Sequence, residues 1–265
     1  MLPDGDVALT FINHVTFLIQ LRHLNLLTDP VFSQRASPLS WLGPRRVRAP
    51  GLALDRLPRI DLVLVSHNHY DHMDLPALRE LDRVHRPLFI TGLGNRPFLQ
   101  QEGLRGVVEL DWWQQSAVHD ARVVFTPAQH WSSRRPGRRN HTLWGGFLIQ
   151  AAGQQIYFAA DTGYASHFFE LQQRYGVVDI ALLPIGAYEP RWFMEEQHMN
   201  PEEAVRAHLD LKAALSIGMH YGCFRLTDEG FDDPLLDLDR ARRNLGVSPH
   251  AFRTMDVGET LIVRR

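Results

Sequence analysis

The 265-residue chain has one cysteine, Cys223, so no disulfide can form within it. That fits a reducing compartment, where a lone cysteine is expected to be a small buried hydrophobe. It has no uninterrupted apolar stretch near the roughly 20 residues that cross a bilayer as a helix. It has no excess of positive charge either: a formal net charge of −2 removes any whole-protein attraction to nucleic acid. The start, Met1-Leu2-Pro3-Asp4-Gly5-Asp6, is acidic and lacks the basic start and long apolar core of a secretion signal. These absences lead to the expectation of a cytoplasmic protein. If it acts on lipid, it does so peripherally, from the inner membrane surface.

What remains is ordinary in bulk, with 45% hydrophobic and 22% charged residues. The length suits one layered α/β domain over 1–265. The informative stretch is Ser66-His67-Asn68-His69-Tyr70-Asp71-His72, directly behind the strand-like run Ile60-Asp61-Leu62-Val63-Leu64-Val65. Residues 67 and 69 project to one side of an extended chain, and a turn at 70–72 brings Asp71 and His72 to a second position. Two metal sites can therefore start from one loop.

Further short β-rich runs open the chain, over 7–12, 15–21 and 24–28, and Asp29-Pro30 stops them. Asp29 is readable as a turn residue or as a hydrogen-bond acceptor for a metal-bound histidine. From 33 to 58 the periodicity vanishes and a long loop is expected. In it Trp41 and Leu42 lie beside Arg45, Arg46 and Arg48, a mixture suited to an anionic surface, with solvated arginines as the simpler reading. Asp74 and Pro76 mark a helix start. Asn200-Pro201-Glu202-Glu203 reads as an N-cap, a proline at the first helical position and a capping glutamate, with Val205, His208 and Leu209 on the inner face. A helix from Ser166 to Gly176, a Leu- and Arg-rich helix after 228 and a last strand over 260–263 complete the expected elements.

Three more ligand-type side chains stand just past apolar runs: His130 after 122–126, Asp161 after 155–160 and His220 after 213–219. With His67, His69, Asp71 and His72 they make a consistent set of seven metal ligands at one edge of a sheet. Imidazole and carboxylate without thiolate suit zinc, with manganese or iron left open.

Taken together, the H-x-H-x-D-H turn and the later His, Asp and His resemble the metallo-β-lactamase superfamily. Within it the chain is similar to the phospholipases D that hydrolyse N-acylphosphatidylethanolamine. That similarity rests on Thr28-Asp29-Pro30-Val31-Phe32-Ser33, Arg35-Ala36-Ser37-Pro38, residues 66–72 and 109–113, Gln129-His130-Trp131 and Asp161-Thr162-Gly163-Tyr164. It rests further on Pro201-Glu202-Glu203-Ala204 and, most specifically, on Pro184-Ile185-Gly186-Ala187-Tyr188-Glu189-Pro190-Arg191-Trp192-Phe193-Met194. The resemblance implies a four-layer αββα sandwich. It implies that His67, His69 and His130 hold one metal, that Asp71, His72 and His220 hold a second, and that Asp161 bridges both. Tyr70 and His198 take the positions of substrate-phosphate contacts.

The implied reaction is phosphodiester hydrolysis by a hydroxide held between two divalent cations about 3.5–4 Å apart. Asp161 positions the nucleophile, and His198 donates a proton or hydrogen bond to the leaving group. The partners expected are a phosphodiester or phospholipid substrate and no nucleic acid, with membrane-surface contact and a homodimer left open. A lactonase or another hydrolase of a soluble phosphorylated metabolite is the second reading, and a non-catalytic metal- or lipid-binding module the third. The chain departs from the family in placing Asn13 before His14, where Gly is usual, and in starting directly at its first strand. The basic loop 134–139 is readable as an attractor for an anionic substrate or as a solvated surface.

Overall fold

The inner strands of this chain are apolar on both faces because both faces are covered. In the computed structural model, which describes residues 2–135 and 137–265, one sheet contains β1 (Val7–Asn13), β2 (Thr16–Leu21), β3 (Leu24–Thr28), β4 (Leu62–Val65), β5 (Leu88–Gly92) and β6 (Val107–Leu110). The other contains β7 (Gln115–Val118), β8 (Ala121–Thr126), β9 (Gly146–Ala151), β10 (Gln154–Phe158), β11 (Ile180–Pro184), β12 (Leu215–Met219) and β13 (Phe252–Arg253). The last strand, β14 (Thr260–Val263), returns to pair with β1 at the edge of the first sheet. Met1, and Pro136 of the basic loop, lie outside the described residues.

Alternation with a period of two assigns each side chain to a layer. Leu62 and Leu64 of β4 join Ile156 and Phe158 of β10 and Ile180 and Leu182 of β11 in the core between the sheets. Val63 and Val65 point the other way, against Leu78 and Leu81 of α1 (Leu75–Val84) and Leu99 of α2 (Arg96–Gln101). Tyr157, Ala181 and Leu183 face Phe168 and Leu171 of α3 (His167–Tyr175), Ala204 and Val205 of α5 (Pro201–Asp210) and Leu238 of α6 (Asp233–Leu245). The short α4 (Arg191–Met194) lies between β11 and α5 in the chain. Two mixed sheets flanked by helices on both outer faces give the αββα sandwich.

Both sheets run parallel through β3-β4-β5-β6 and β10-β11-β12-β13 and antiparallel through their remaining pairs. Strands β1, β3 and β4 therefore end together, as do β8, β10 and β12. Open α/β sheets carry their ligand sites beyond such carboxyl ends.

Two expectations change. Leu209 is exposed, so the buried face of α5 runs instead through Ala204, Val205, Ala207 and His208. Arg46 is not solvated: it is buried, its guanidinium donating to Val31 O at 2.7 Å and Ser33 O at 3.1 Å and lying over the Phe224 ring. Its charge is spent holding the long loop to the body of the protein. The helix start expected at Asp74 and Pro76 is found, with Asp74 at the N-cap position of α1; its carboxylate makes no cap hydrogen bond and accepts instead from the backbone N–H groups of Phe32 and Ser33 at 2.8 and 2.7 Å.

The capping box of α5 forms as its sequence predicts. Asn200 Oδ1 accepts from Glu203 N at 2.9 Å, and Glu203 Oε2 accepts from Asn200 N at 2.9 Å. Replacing Asn200 by Ala leaves an orphan N–H and costs about 1 kcal/mol. In a thermal melt this is expected as a fall in Tm of roughly 2–4 °C, and an unchanged Tm would show that the cap contributes nothing.

Candidate metal centre

Each ligand-type side chain is delivered by a strand end. His67, His69, Asp71 and His72 follow β4, His130 follows β8, Asp161 follows β10 and His220 follows β12. Several residues around them adopt left-handed backbone conformations that side chains usually avoid: Asp29 (φ 30), Ala160 (φ 54), Ala187 (φ 63) and His220 (φ 62). Such strain gathers where packing forces side chains into a functional arrangement.

All seven residues meet in two adjoining groups. In the first, His67 Nε2 lies 2.8 Å from His69 Nδ1, and His130 Nε2 lies 3.3 Å from the same atom. Asp161 completes this group. Donors around a tetrahedral zinc are separated by about 3.3 Å when each metal–nitrogen bond is near 2.0–2.1 Å. In the second group Asp71 Oδ2 lies 3.5 Å from His72 Nε2 and 3.4 Å from His220 Nε2. Asp161 reaches into both, with Oδ2 3.0 Å from His72 Nε2 and 3.7 Å from His130 Nε2, and Oδ1 3.2 Å from His220 Nε2.

The outward ring nitrogens of three histidines are tied down, as metal ligands require if their tautomers are to be fixed. His72 Nδ1 donates to Asp29 Oδ2 at 2.7 Å, and His130 Nδ1 donates to Gln197 O at 2.9 Å. His67 Nδ1 lies 2.9 Å from Ser66 Oγ, which donates to Asp29 Oδ2 at 2.5 Å. Asp29 thus takes the acceptor role rather than that of a turn residue.

Electrostatics separate the two groups. Burial holds the His67 imidazole well below its usual pKa and brings His69 down to about 4 and His130 to about 3, so all three present neutral lone pairs. For His72 and His220 burial works the same way, but the Asp161 and Asp71 carboxylates outweigh it. His72 is raised well above the usual value and His220 to about 9. Burial also opposes charge on Asp161 and Asp71, yet the surrounding imidazoles hold both carboxyls well below the usual range. The positive charge these carboxylates require is supplied by protons on His72 and His220, or by a cation whose binding releases them. His72 Nε2, His220 Nε2 and Asp161 Oδ1 are buried and make no hydrogen bond, although each lies close to oppositely charged atoms. Donors aimed at common centres rather than at one another fit divalent cations, and these clusters are able to bind them.

A cavity of about 190 Å³ opens over both groups, lined by His69, Asp71, His130, Asp161, His198 and His220 and by a rim that includes Trp131, Phe193, Met194 and Leu226. His198 is buried, its Nε2 3.9 Å from Asp161 Oδ2, and its carbonyl accepts from Arg191 Nη1 at 2.9 Å. Burial pushes its imidazole down to about 3, so near neutral pH it is uncharged and offers one N–H. Tyr70 lies elsewhere: its hydroxyl donates to Arg134 O at 2.8 Å, its ring lies beneath the Arg134 guanidinium, and it lines a neighbouring cavity. One buried residue beside the second group, His14, has no ligand role on sequence grounds. Its Nε2 is 3.1 Å from Asp71 Oδ2. Only its place at the end of the first strand, in phase with the other strand-end ligands, could have marked it.

Comparison with known proteins shows the family and the fold. Residues 24–221 match the family described as "Beta-lactamase superfamily domain". The N-acyl-phosphatidylethanolamine-hydrolyzing phospholipase D 1 of Caenorhabditis elegans is 36% identical, over 97% of this chain and 76% of its own length. The mitochondrial N-acyl-phosphatidylethanolamine-hydrolyzing phospholipase D of Saccharomyces cerevisiae is 37% identical, over 80% of this chain and 46% of its own length. Among solved structures, Igni18, a metallo hydrolase of the archaeon Ignicoccus hospitalis, superposes with a TM-score of 0.72 at 20% identity, covering 98% of this chain and 99% of that one. Among the described residues no helix is long and apolar enough to cross a membrane. The chain belongs to the metallo-β-lactamase superfamily of hydrolases and is a relative of the N-acylphosphatidylethanolamine-hydrolysing phospholipases D.

Proposed function

We propose that the chain is a dinuclear metal-dependent phosphodiesterase acting as a phospholipase D on N-acylphosphatidylethanolamine or a related diester. The observation that carries this reading is Asp161, whose two oxygens reach both ligand groups at the floor of one cavity. His67, His69, His130 and Asp161 would hold one cation, and Asp71, His72, His220 and Asp161 the other. The relatives supply the substrate class, and the rim supports it: Trp131, Phe193, Met194 and Leu226 around a polar floor suit a charged phosphate attached to hydrocarbon.

Cations held by these residues, of which zinc is the first choice for the donor set, would lower the pKa of water towards neutrality and offset charge developing on phosphate oxygens. The rest falls to the chain. Asp161, held ionised by its imidazole neighbours, orients the attacking water at the junction of the two groups. The oxygen of that water bonds to phosphorus, the bond from phosphorus to the ethanolamine oxygen breaks, and the proton that the water gives up ends on the departing ethanolamine oxygen. His198 stands on the same side of the cavity with one N–H to give, and it hydrogen-bonds a phosphate oxygen or the departing alkoxide. The position of Tyr70 supports a different task, fastening the ligand-bearing turn to the loop after His130.

Elemental analysis of protein purified without added metal is expected to find about two cations per chain. A fluorogenic N-acylphosphatidylethanolamine is expected to be hydrolysed before chelation and not after it. Two cations with turnover only of a soluble phosphodiester or a lactone would replace the substrate assignment, and protein free of metal would overturn the ligand assignment. His198→Ala is expected to lower kcat/KM on the lipid by roughly 10²-fold with both cations retained. Unchanged turnover by that variant would remove His198 from the reaction.

A further inference from the structure

The metal centre leaves one buried ionisable residue without a task. His14 follows β1, whose pairing with β2 shifts register between Phe11 and Asn13. Such an irregularity re-aims the next side chain. Asn13 fixes the turn by donating through Nδ2 to Arg48 O at 3.0 Å and Ala49 O at 3.2 Å. His14 itself sits at φ 52 and is 1% exposed.

Three contacts then decide where its ring lies. Its Nε2 is 3.1 Å from Asp71 Oδ2, the oxygen that also faces His72 and His220. Its ring packs on that of His220 with centroids 4.2 Å apart, and the Phe224 ring closes its other side edge-on at 5.2 Å. Its carbonyl accepts from the backbone N–H of His220 at 2.8 Å. One residue thus touches the side chain of one ligand of the second group and both the ring and the backbone of another. None of these contacts reaches His67, His69 or His130.

We propose that His14 is a positioning residue of the second cation site. Its Nε2–H donates to Asp71, fixing the carboxylate, while its ring and carbonyl seat His220. The inference rests on the assignment of Asp71, His72 and His220 to a cation. Nε2 of His14 stands at hydrogen-bond distance from Asp71 Oδ2, which favours positioning over ligation; the ligand atoms of His14, Asp71, His72 and His220 all lie within 4.8 Å of one another, and a Co2+ spectrum separates the two roles. Hydrogen-bonding partners of this kind typically change metal affinity by about 10–100-fold when removed.

The test is competition for bound Zn2+ by a chromogenic chelator, on the wild type and on His14→Leu and His14→Gln, with circular dichroism to confirm the fold. The Gln side chain keeps an N–H near the imidazole Nε2 position, so that variant remains informative should His14→Leu fail to fold. In His14→Leu one equivalent is expected to leave at roughly 10–100-fold lower chelator strength while the other leaves as in the wild type. His14→Gln is expected to recover most of that loss and, loaded with Co2+, to keep the wild-type visible spectrum, because the ligand count is unchanged. The proposal is overturned if both equivalents in His14→Leu behave as in the wild type, if both weaken together, or if His14→Gln binds no better than His14→Leu or alters the Co2+ spectrum. A wild type that binds fewer than two equivalents would instead overturn the cation-site assignment beneath it.

Discussion

Two carboxylates, Asp71 and Asp161, stand among buried imidazoles at the junction of the two sheets, and the rest of the structure answers to that concentration of charge. Taking ionised groups out of water is expensive unless partners are held at fixed distances. The αββα sandwich supplies the fixing. Strand ends held side by side by the sheets' hydrogen bonds deliver all seven side chains directly or through one short turn. Asp29 ties the ligand-bearing loop to the end of β3 through Ser66 and His72. The left-handed backbones at Asp29, Ala160 and His220 are tolerated because the packed sheets over-determine them.

The two ligand groups are chemically unlike. One presents three neutral imidazoles and shares a carboxylate. The other has a carboxylate of its own, shares Asp161 and keeps its imidazoles charged when protons alone are available. A second divalent ion close to a first would be opposed by repulsion, and the additional negative charge around His72 and His220 would offset it. The cavity above continues the division, polar at the floor and apolar at the rim, as a substrate with a phosphate and hydrocarbon attached to it would need.

Much of this was legible in the sequence. The H-x-H-x-D-H turn behind an apolar run, and later ligand-type residues each behind another, pointed to the cluster that forms the candidate metal centre, because side chains just past strand ends share one edge. The capping box at Asn200 was legible because its chemistry is local. What escaped depends on contacts between distant parts of the chain. β7 alternates weakly and is half exposed, while β9 and β11 are short runs buried on both faces, without the alternation that marks a half-buried strand. Arg46 reads as a surface charge until the carbonyls of Val31 and Ser33 are brought to it, and Leu209 falls on the inner face only if α5 packs a quarter-turn differently. Asp29 could be read from the sequence only as one of two alternatives, and His14 only as a residue at a strand end: what decides both is contact with His72 and Asp71, more than 40 residues away along the chain.

The central claim is that Asp161 links two cations in one site. Electron paramagnetic resonance of the protein loaded with two equivalents of Mn2+ tests it directly. A spin-coupled pair, replaced by the signal of a single isolated ion when Asp71→Ala is loaded in the same way, is the predicted result. Two uncoupled ions in the wild type, or one ion bound and the other free in solution, would contradict a shared site built on Asp161.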